Sequence, residues 1–247
     1  MVPRPRREHP RTPAGLVPST VKSLQRFPVK SMLGEHCAHL DIDDRGCVGD
    51  RLWSVRTADG KIGSGKDTRR FAAVPGLLSL RAREHDGRVV LTFPDGTRSR
   101  IDAAQTIGLL SRHLGRPVTV CREAAVSHFD DGPISLVGSA SVDALGRERN
   151  QPVDPARFRA NILVDTEEPF LEDTWIGRRL LIGTATLRVT MASPRCVMVN
   201  MGTADLPAQP GNLTAIGRLN ALCLGVIAAV ESPGRISRGD TVRIARS

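Results

Sequence analysis

A chain of 247 residues with 40% apolar content can bury a substantial core, either as one large β-rich domain or as two smaller ones. Aromatic residues make up 3% of the chain and tyrosine is absent, which leaves few rings for stacking on nucleic-acid bases. The formal net charge of +9 suits a phosphate-bearing ligand or an acidic protein partner, and it is equally typical of a solvated surface with an arginine bias.

Cysteine usage and hydrophobicity indicate the compartment. No C-x-x-C pair occurs, so neither a zinc ribbon nor a disulfide framework is predicted. The basic N-terminus lacks the apolar segment of a secretory signal, and no apolar run approaches the ~18 residues of a membrane span. We therefore expect a soluble cytoplasmic protein that binds neither membrane nor nucleic acid. The five cysteines stand at irregular spacings: Cys37, Cys47, Cys121, Cys196 and Cys223.

The chain begins with a segment that is unlike the rest. Residues 1–19 contain five prolines and four arginines without periodicity, which predicts a disordered basic leader. The first strand candidate is Val21–Val29, and Pro28 inside it predicts an edge position or a bulge. Arg51–Val55 alternates apolar and polar residues, as a half-buried strand does.

Short strands continue to about residue 122. Asp86-Gly87 predicts a hairpin that joins a strand at 77–83 to one at 88–93. A helix follows, with Asp102 as its N-cap and Gly115 as its stop. Further strands are predicted at 97–101 and 118–121.

The second half, residues 123–247, has the same character. A helix is predicted to open around Val142–Leu145, with Ser139 or Ser141 as its cap, and another is predicted at Leu213–Leu222. The remaining strand predictions are 134–137, 159–164, 179–182, 186–191, 225–230 and 239–244. The strands at 179–182 and 186–191 are predicted to form a hairpin through Gly183-Thr184. Many short strands with few helices indicate a mainly β protein (α+β) built on barrel-like sheets.

Ordered motifs resemble a known family. Phe27-Pro28-Val29-Lys30-Ser31, followed by Asp50-Arg51-Leu52-Trp53, is similar to the N-terminal β-barrel domain that precedes a MOSC domain, the C-terminal domain of molybdenum cofactor sulfurase. The second half resembles the MOSC domain itself, through Arg157–Ile162, Trp175 with Gly177, Arg195-Cys196, Leu224–Val226 and Gly239–Val242. This resemblance implies a MOSC β-barrel domain at 123–247 and a smaller β-barrel-like domain at 20–122.

The resemblance also implies a pterin-molybdenum cofactor bound between the two parts. The family includes the mitochondrial amidoxime reducing component and its bacterial counterparts, which reduce N-hydroxylated compounds. Cys196 falls at the position that ligates molybdenum, and Ser141, or else Ser139, matches a serine in a strand-to-helix turn. The other positions that match cofactor contacts are Lys30, Ser31, Arg51, Arg159, Asn161 and Arg195.

The residues support this chemistry in their own right and leave alternatives open. A thiolate is a soft donor for a metal already held by sulfur, and Arg195 beside Cys196 favours negative charge on that sulfur. Arg51 and Arg159 offer guanidinium forks to phosphate, and Lys30 offers a point charge. A lone cysteine after a strand is also an ordinary small buried hydrophobe.

The predicted activity is two-electron removal of oxygen from an N-hydroxylated or N-oxide small molecule. No cysteine spacing for an iron–sulfur cluster occurs, so electrons would come from a separate protein such as a ferredoxin, a flavodoxin or a cytochrome-type protein. The basic surface would steer an acidic donor.

Three departures from the family pattern keep rival functions open. Ala160 stands where the family usually has a proline, and Pro194 removes a backbone hydrogen-bond donor. Residues 197–202 lack the Thr-rich segment of the reductases. The first rival is a sulfur carrier or sulfurtransferase that works through a persulfide on Cys196. The second is a non-catalytic carrier of the cofactor.

Two other motifs carry less weight. His36-Cys37-Ala38-His39 has no second cluster to complete a zinc site. Gly63-Ser64-Gly65-Lys66 lacks the spacing of a phosphate loop and is interpreted as a turn that borders the cofactor.

Overall fold

The computed structural model describes residues 19–245, so the predicted leader lies, apart from Ser19, outside the described residues. Within them the chain forms eighteen strands, three α-helices and four short 3-10 helices. The prediction of a mainly β fold with a few helices is confirmed.

The elements follow one another in this order. The first-half strands are β1 (Thr20–Arg26), β2 (Glu35–Cys37), β3 (His39–Asp43), β4 (Gly46–Cys47), β5 (Trp53–Thr57), β6 (Ile62–Ser64), β7 (Phe71–Ala73), β8 (Arg81–His85), β9 (Arg88–Thr92), β10 (Arg98–Arg100) and β11 (Val118–Arg122). The later strands are β12 (Ile134–Gly138), β13 (Ile162–Asp165), β14 (Arg179–Ile182), β15 (Ala185–Pro194), β16 (Cys223–Ser232), β17 (Gly234–Ser237) and β18 (Val242–Ile244). The α-helices are α1 (Ala104–Leu114), α2 (Ser139–Arg149) and α3 (Asn212–Asn220), and the 3-10 helices are Pro75–Ser79, Pro155–Phe158, Leu171–Trp175 and Val197–Asn200.

An eight-stranded sheet dominates the structure, in the order β18-β14-β15-β16-β12-β13-β1-β2. Neighbouring strands are antiparallel except for the parallel pair of β12 and β13. Three register shifts between β15 and β16 bend these long strands, because bulges increase local twist. The predicted hairpin through Gly183-Thr184 is present as β14 and β15.

The first strand of the chain lies inside this sheet. β1 pairs with β13 on one side and with β2 on the other, so the predicted edge position is wrong. A bulge is present, but it lies between Val21 and Ser23, and Pro28 comes after the end of the strand at Arg26. Val21 and Leu24 point into the core, where they pack with apolar residues of the second half of the chain.

A second hydrophobic cluster lies between residues 29 and 118. It packs α1 against the three-stranded sheet β10-β9-β8 and the four-stranded sheet β11-β5-β6-β7, with Leu91 and Leu110 fully buried. Gly115 ends α1 in the left-handed conformation, as predicted. Asp102 is not its cap, because Arg100 engages that carboxylate at 3.0 and 2.7 Å and Ala103 takes the cap position.

Two further boundaries differ from those predicted. Residues 75–79 form a 3-10 turn that starts at Pro75, so the strand predicted from residue 77 begins at Arg81. Helix α2 starts at Ser139 with Gly138 at the cap position, and neither Ser139 nor Ser141 caps it because their hydroxyls accept from the Thr166 and Phe170 amides instead. Helices α2 and α3 cover one side of β12 and β16 through a third apolar cluster that includes Leu145, Ile216 and Leu224.

No helix within residues 19–245 has the length and apolar character needed to cross a membrane.

Gly225 is the tightest point between β12 and β16. Its φ is +82°, and a Cβ there would lie 2.4 Å from the Leu136 carbonyl oxygen and 3.1 Å from Arg195 Nη2. We expect Gly225→Ala to lower the free energy of unfolding by at least about 2 kcal/mol, because the added carbon meets backbone in a conformation that alanine disfavours. Urea unfolding measures this loss.

Gly60→Ala is the matched control, since Gly60 has φ +79° and open space around it. It should cost only about 1 kcal/mol, the conformational penalty alone. An equal loss of unfolding free energy in the two variants would show that the close contact of Gly225 with β12 adds nothing to the cost of the substitution.

Candidate functional site

Two turns from the first half of the chain are bonded side by side. The Lys30 amide donates to the Trp53 carbonyl at 2.8 Å, and the Trp53 amide donates to the Pro28 carbonyl at 3.1 Å. The Arg51 amide donates to the Phe27 carbonyl at 2.7 Å. These bonds place Lys30 and Arg51 next to each other, although twenty residues separate them along the chain.

Three residues of the predicted site adopt left-handed backbone conformations. Ser31 has φ +66°, Arg51 +50° and Arg159 +52°. Such angles cost residues with a Cβ energy and persist where the surroundings enforce them, which is common at binding sites. In this case the backbone turns all three side chains toward one cavity.

The Phe27 ring contacts site residues from both halves of the chain, Arg51 and Arg159. The guanidinium carbons of Arg51 and Arg159 lie 4.9 and 4.4 Å from the centre of its ring. Arg51 also forms an ion pair with the buried Asp50 carboxylate and donates through Nη2 to the Arg159 carbonyl at 3.0 Å. Two like charges are thus held against one ring by cation–π contacts and a hydrogen bond.

Arg195 and Cys196 follow the end of β15. The Arg195 guanidinium donates through Nε and Nη2 to the Leu224 carbonyl, at 2.7 and 2.5 Å, and through Nη1 to the Phe158 carbonyl at 3.0 Å. Burial lowers the pKa of Arg195 to about 10. Arg195 therefore ties β16 to the turn before Arg159, while the half-buried Cys196 thiol lies on the wall of the cavity.

These elements enclose a cavity of about 220 Å³ that is partly open to solvent. Its wall includes the hydroxyls of Ser31, Ser135 and Ser193, the sulfur atoms of Cys196 and Met198, and two carboxylates, Asp130 and Asp131. Cationic side chains dominate the lining: Lys30, Arg51, Lys66, Arg157, Arg159 and Arg195.

Some donors on this wall have no partner. The Ser31 hydroxyl and both terminal nitrogens of Arg159 are buried without a hydrogen bond to any described residue. Burial, with repulsion from Arg51, lowers the pKa of Arg159 to about 9. Buried donors left unpaired are costly, and a charged one more so. Unpaired donors beside six cationic lining residues give this wall the chemistry of an anion-binding site, which a phosphorylated ligand suits.

Asp130 supplies negative charge to the same wall. It forms ion pairs with Lys30 and, at 3.3 Å, with Lys66. Burial lowers the pKa of Lys30 to about 8, although Asp130 counteracts it. Burial opposes ionisation of Asp130 in turn, but Lys30 and Lys66 outweigh it and lower the pKa of that carboxyl to about 2.

Two predicted site residues lie away from the lining. The Asn161 side chain accepts from the Ser135 amide and hydroxyl, at 3.2 and 3.0 Å, and donates to the Gln25 carbonyl at 3.3 Å. It ties β1 to β12 beneath the cavity. The Ser141 hydroxyl donates to Glu172 at 2.9 Å and accepts from the Phe170 amide at 2.8 Å.

The minor motifs occupy different places. Within the described residues no group of three or more His, Cys, Asp or Glu side chains could hold a metal, and His36 and His39 are exposed around a shallow groove. Gly63 and Ser64 belong to β6, whereas Lys66 reaches the cavity. A Cβ on Gly65 would lie 2.9 Å from Met198 Cγ and from Met201 Sδ, so this turn packs on the segment after Cys196.

Four charged residues that line the cavity are not among the site residues that the sequence predicts: Arg157, Asp130, Asp131 and Lys66. Arg157 stood inside a motif that the sequence displayed, and Lys66 ended the glycine-rich turn. Asp130 lies 100 residues from its partner Lys30. No local pattern could have paired them.

Replacing Asp130 should change the ionisation of Lys30. In Asp130→Asn the charge that raises the Lys30 pKa is gone, so burial and the neighbouring guanidiniums lower that pKa further below about 8. Heteronuclear NMR titration of the lysine side chains measures the shift.

Asp131→Asn is the control, since Asp131 lines the cavity but forms no ion pair with either lysine among the described residues. A Lys30 pKa that stayed constant or rose in Asp130→Asn would contradict the conclusion that Asp130 raises the pKa of Lys30.

Glu172 makes stability depend on pH. Burial raises the pKa of this fully buried carboxyl above its ordinary value of 4.5. The folded state therefore holds the proton more tightly, and this contribution to stability is complete below pH 4.5 and lost as pH rises through the folded-state pKa. Glu172→Gln should flatten the fall in unfolding free energy above pH 4.5, measured by urea unfolding at a series of pH values.

Glu167→Gln, at an exposed neighbouring carboxylate, should leave that pH dependence unchanged. The same slope in wild type and Glu172→Gln would assign the dependence to other groups.

The sequence matches the profiles of two known protein domains. The profile of the MOSC domain matches residues 111–243, and that of the MOSC N-terminal beta barrel domain matches residues 18–131. The chain resembles the YuaD protein from Bacillus subtilis in fold, with a TM-score of 0.50 and 17% identity over 92% of this chain and 94% of that one.

Curated relatives fall into two groups by name. Molybdenum cofactor sulfurase of Danio rerio is 24% identical over 86% of this chain and 32% of its own length. Mitochondrial amidoxime reducing component 2 of Rattus norvegicus is 24% identical over 80% of this chain and 70% of its own length. The chain thus spans about a third of the sulfurase it matches. With a domain profile that covers more than half of its residues, the chain belongs to the MOSC domain family, and it carries the family's N-terminal beta barrel domain as well.

Proposed function

We propose that the cavity binds a phosphorylated pterin-molybdenum cofactor and that the protein reduces an N-hydroxylated or N-oxide small molecule with it. The observation that carries this proposal is the set of unpaired buried donors, Ser31 Oγ and Arg159 Nη1 and Nη2, on the wall that also presents Cys196. An anion-binding wall beside a soft sulfur donor matches the two ends of such a cofactor. Relatives named amidoxime reducing component support the reaction class.

Each lining residue would have a distinct task. Arg159 and Ser31 would hold the phosphate, Arg51 would fix Arg159 through its carbonyl, and Cys196 would ligate the metal. Arg195, whose donors are engaged by the Leu224 and Phe158 carbonyls, would set the position of Cys196 rather than bind the ligand through those atoms.

The bound cofactor would supply two-electron oxygen-atom chemistry. Removal of the oxygen of an N-hydroxylated substrate consumes two electrons and two protons and releases water. Lys30, with a pKa of about 8, could release a proton from Nζ within the neutral range and regain it from solvent. Electrons would come from a separate redox protein, since these 247 residues hold no cysteine spacing for an iron–sulfur cluster.

A sulfur-transfer function is the second candidate. Relatives named molybdenum cofactor sulfurase favour it, and so does the segment after Cys196, which forms a 3-10 helix of apolar residues and Asn200. Cys196 would then carry a persulfide. A carrier that holds the cofactor without turning over substrate is the third candidate.

Metal analysis separates these functions. Wild-type protein from a host that makes molybdopterin should carry close to one molybdenum per chain, and Cys196→Ser should lose most of it, because the ligating sulfur is removed. Mass spectrometry of the metal and the visible spectrum of the purified protein measure this.

Cys121→Ser is the matched control, at a half-buried thiol on β11 outside the cavity, and it should keep the metal. Metal-free wild-type protein with a cyanide-labile sulfur on Cys196 would reject the reductase in favour of sulfur transfer. Full molybdenum occupancy without reduction of any amidoxime or N-oxide by a chemical reductant would favour the carrier.

A further inference from the structure

Strand register places a row of basic side chains on one side of the three-stranded sheet. Residues directly opposite each other in an antiparallel ladder share a face, and alternate residues along a strand do too. Arg83 pairs with Val90, which pairs with Arg100, and Arg81 and Arg98 both pair with Thr92. His85 pairs with Arg88. We call this the basic face: Arg81, Arg83, His85, Arg88, Arg98 and Arg100.

The other side of the same sheet is core. Ala82, Val89 and Leu91 are buried in the second hydrophobic cluster, and the Ser99 hydroxyl on the same side is buried and bonds Thr106. This packed layer fixes the backbone positions from which the charged side chains project. The arginines therefore present a preformed array of positive charge to solvent.

Three of the five arginines on the basic face form no ion pair with another described residue. Arg100 pairs with Asp102 at 2.7 Å, Arg81 with Asp205 at 2.5 Å, and His85 lies 3.3 Å from Asp86. Among the described residues, Arg83, Arg88 and Arg98 are exposed and form no ion pair. Three unpaired guanidiniums on one rigid surface attract an acidic partner.

One strand of the basic face, β8, is bonded to the segment that follows the cavity residue Ser31. Leu33, two residues after Ser31, donates to the Leu80 carbonyl and accepts from the Ala82 amide, both at 2.8 Å. Arg81 donates to the Gly34 carbonyl at 3.1 Å, and its ion-pair partner Asp205 belongs to the loop after Cys196. Strand β8 is thus bonded to the turn that carries Lys30 and Ser31 and is in contact with the chain that follows the thiol.

We propose that the basic face docks an acidic redox protein, the electron donor for the cavity; this rests on the proposed reductase function. Charge complementarity selects the partner. The face holds no phenylalanine, tyrosine or tryptophan on which a nucleic-acid base could stack. Its apolar part is limited to the half-buried Val90, too little to insert into a membrane surface.

Charge reversal tests the surface. The variant R83E/R88E/R98E is compared with R122E/R147E/R243E, which matches the change in net charge. The control reverses three arginines that are exposed, lie elsewhere on the surface and form no ion pair within residues 19–245. Binding of an acidic [2Fe–2S] ferredoxin and of an acidic flavodoxin is measured at about 10 mM and about 150 mM ionic strength. At low salt the basic-face variant should bind at least one of these probes at least about tenfold more weakly than the wild-type protein does. The control variant should stay within about threefold of wild type. The difference between the two variants should narrow at high salt.

Several results would overturn the proposal. One is an equal loss of redox-protein binding in both variants, and another is that the wild-type protein binds neither redox protein at low salt. A third is that R83E/R88E/R98E loses binding only to duplex DNA or to phosphatidylserine vesicles. Thermal unfolding of both variants confirms that they fold. Molybdenum content is measured separately. If the protein is metal-free but still binds the redox protein through the basic face, the reductase function is rejected and the docking surface is retained. A metal-loaded protein that fails to bind it removes only the docking surface.

Discussion

The pairing of β1 with β13 is the interaction on which the rest of the site depends. It inserts a strand from the start of the chain between strands of the eight-stranded sheet, with Asn161 bonded to Gln25 at the join. The turn that leaves β1 carries Phe27, Lys30 and Ser31, and the turn that enters β13 carries Arg159. Because the two strands are hydrogen-bonded neighbours, these turns meet at the same end of the sheet. The cavity forms where they meet.

Electrostatics explains why that cavity calls for a ligand. Six cationic side chains and two carboxylates line it, and burial lowers the pKa of Lys30, Arg159 and Arg195. Burying like charges together is unfavourable unless an opposite charge compensates them. Asp130 compensates Lys30 and Lys66, whereas the terminal nitrogens of Arg159 have no hydrogen-bond partner in the part of the chain that the structure describes. The protein thus satisfies one part of its cationic wall internally and leaves another open to an anion.

Local sequence patterns were sufficient for elements whose signals are themselves local. The hairpin at Gly183-Thr184 and the glycine stop of α1 depend on a few adjacent residues, and both are present. The order of motifs selected residues that the structure places on one cavity wall: Lys30, Ser31, Arg51, Arg159, Arg195 and Cys196. Their roles toward a cofactor stay predictions. Asp102 was chosen as a cap because its type is favoured there, but a nearby arginine competes for the carboxylate. The internal position of β1 and the Lys30–Asp130 ion pair could not be predicted, because each depends on partners more than 90 residues away.

The internal place of β1 has a consequence for biosynthesis. Its register pairs Leu24 with Ile162 and Thr20 with Asp165, a separation of roughly 140 residues. At the usual pace of translation, about 5–20 residues per second, the strand waits about 7–30 s for its partner to be made. During that interval Val21 and Leu24 have no core to enter, and the backbone of β1 has only β2 to pair with. The nascent chain therefore exposes an apolar strand edge, the kind of surface that chaperones hold, until the second half of the protein has left the ribosome.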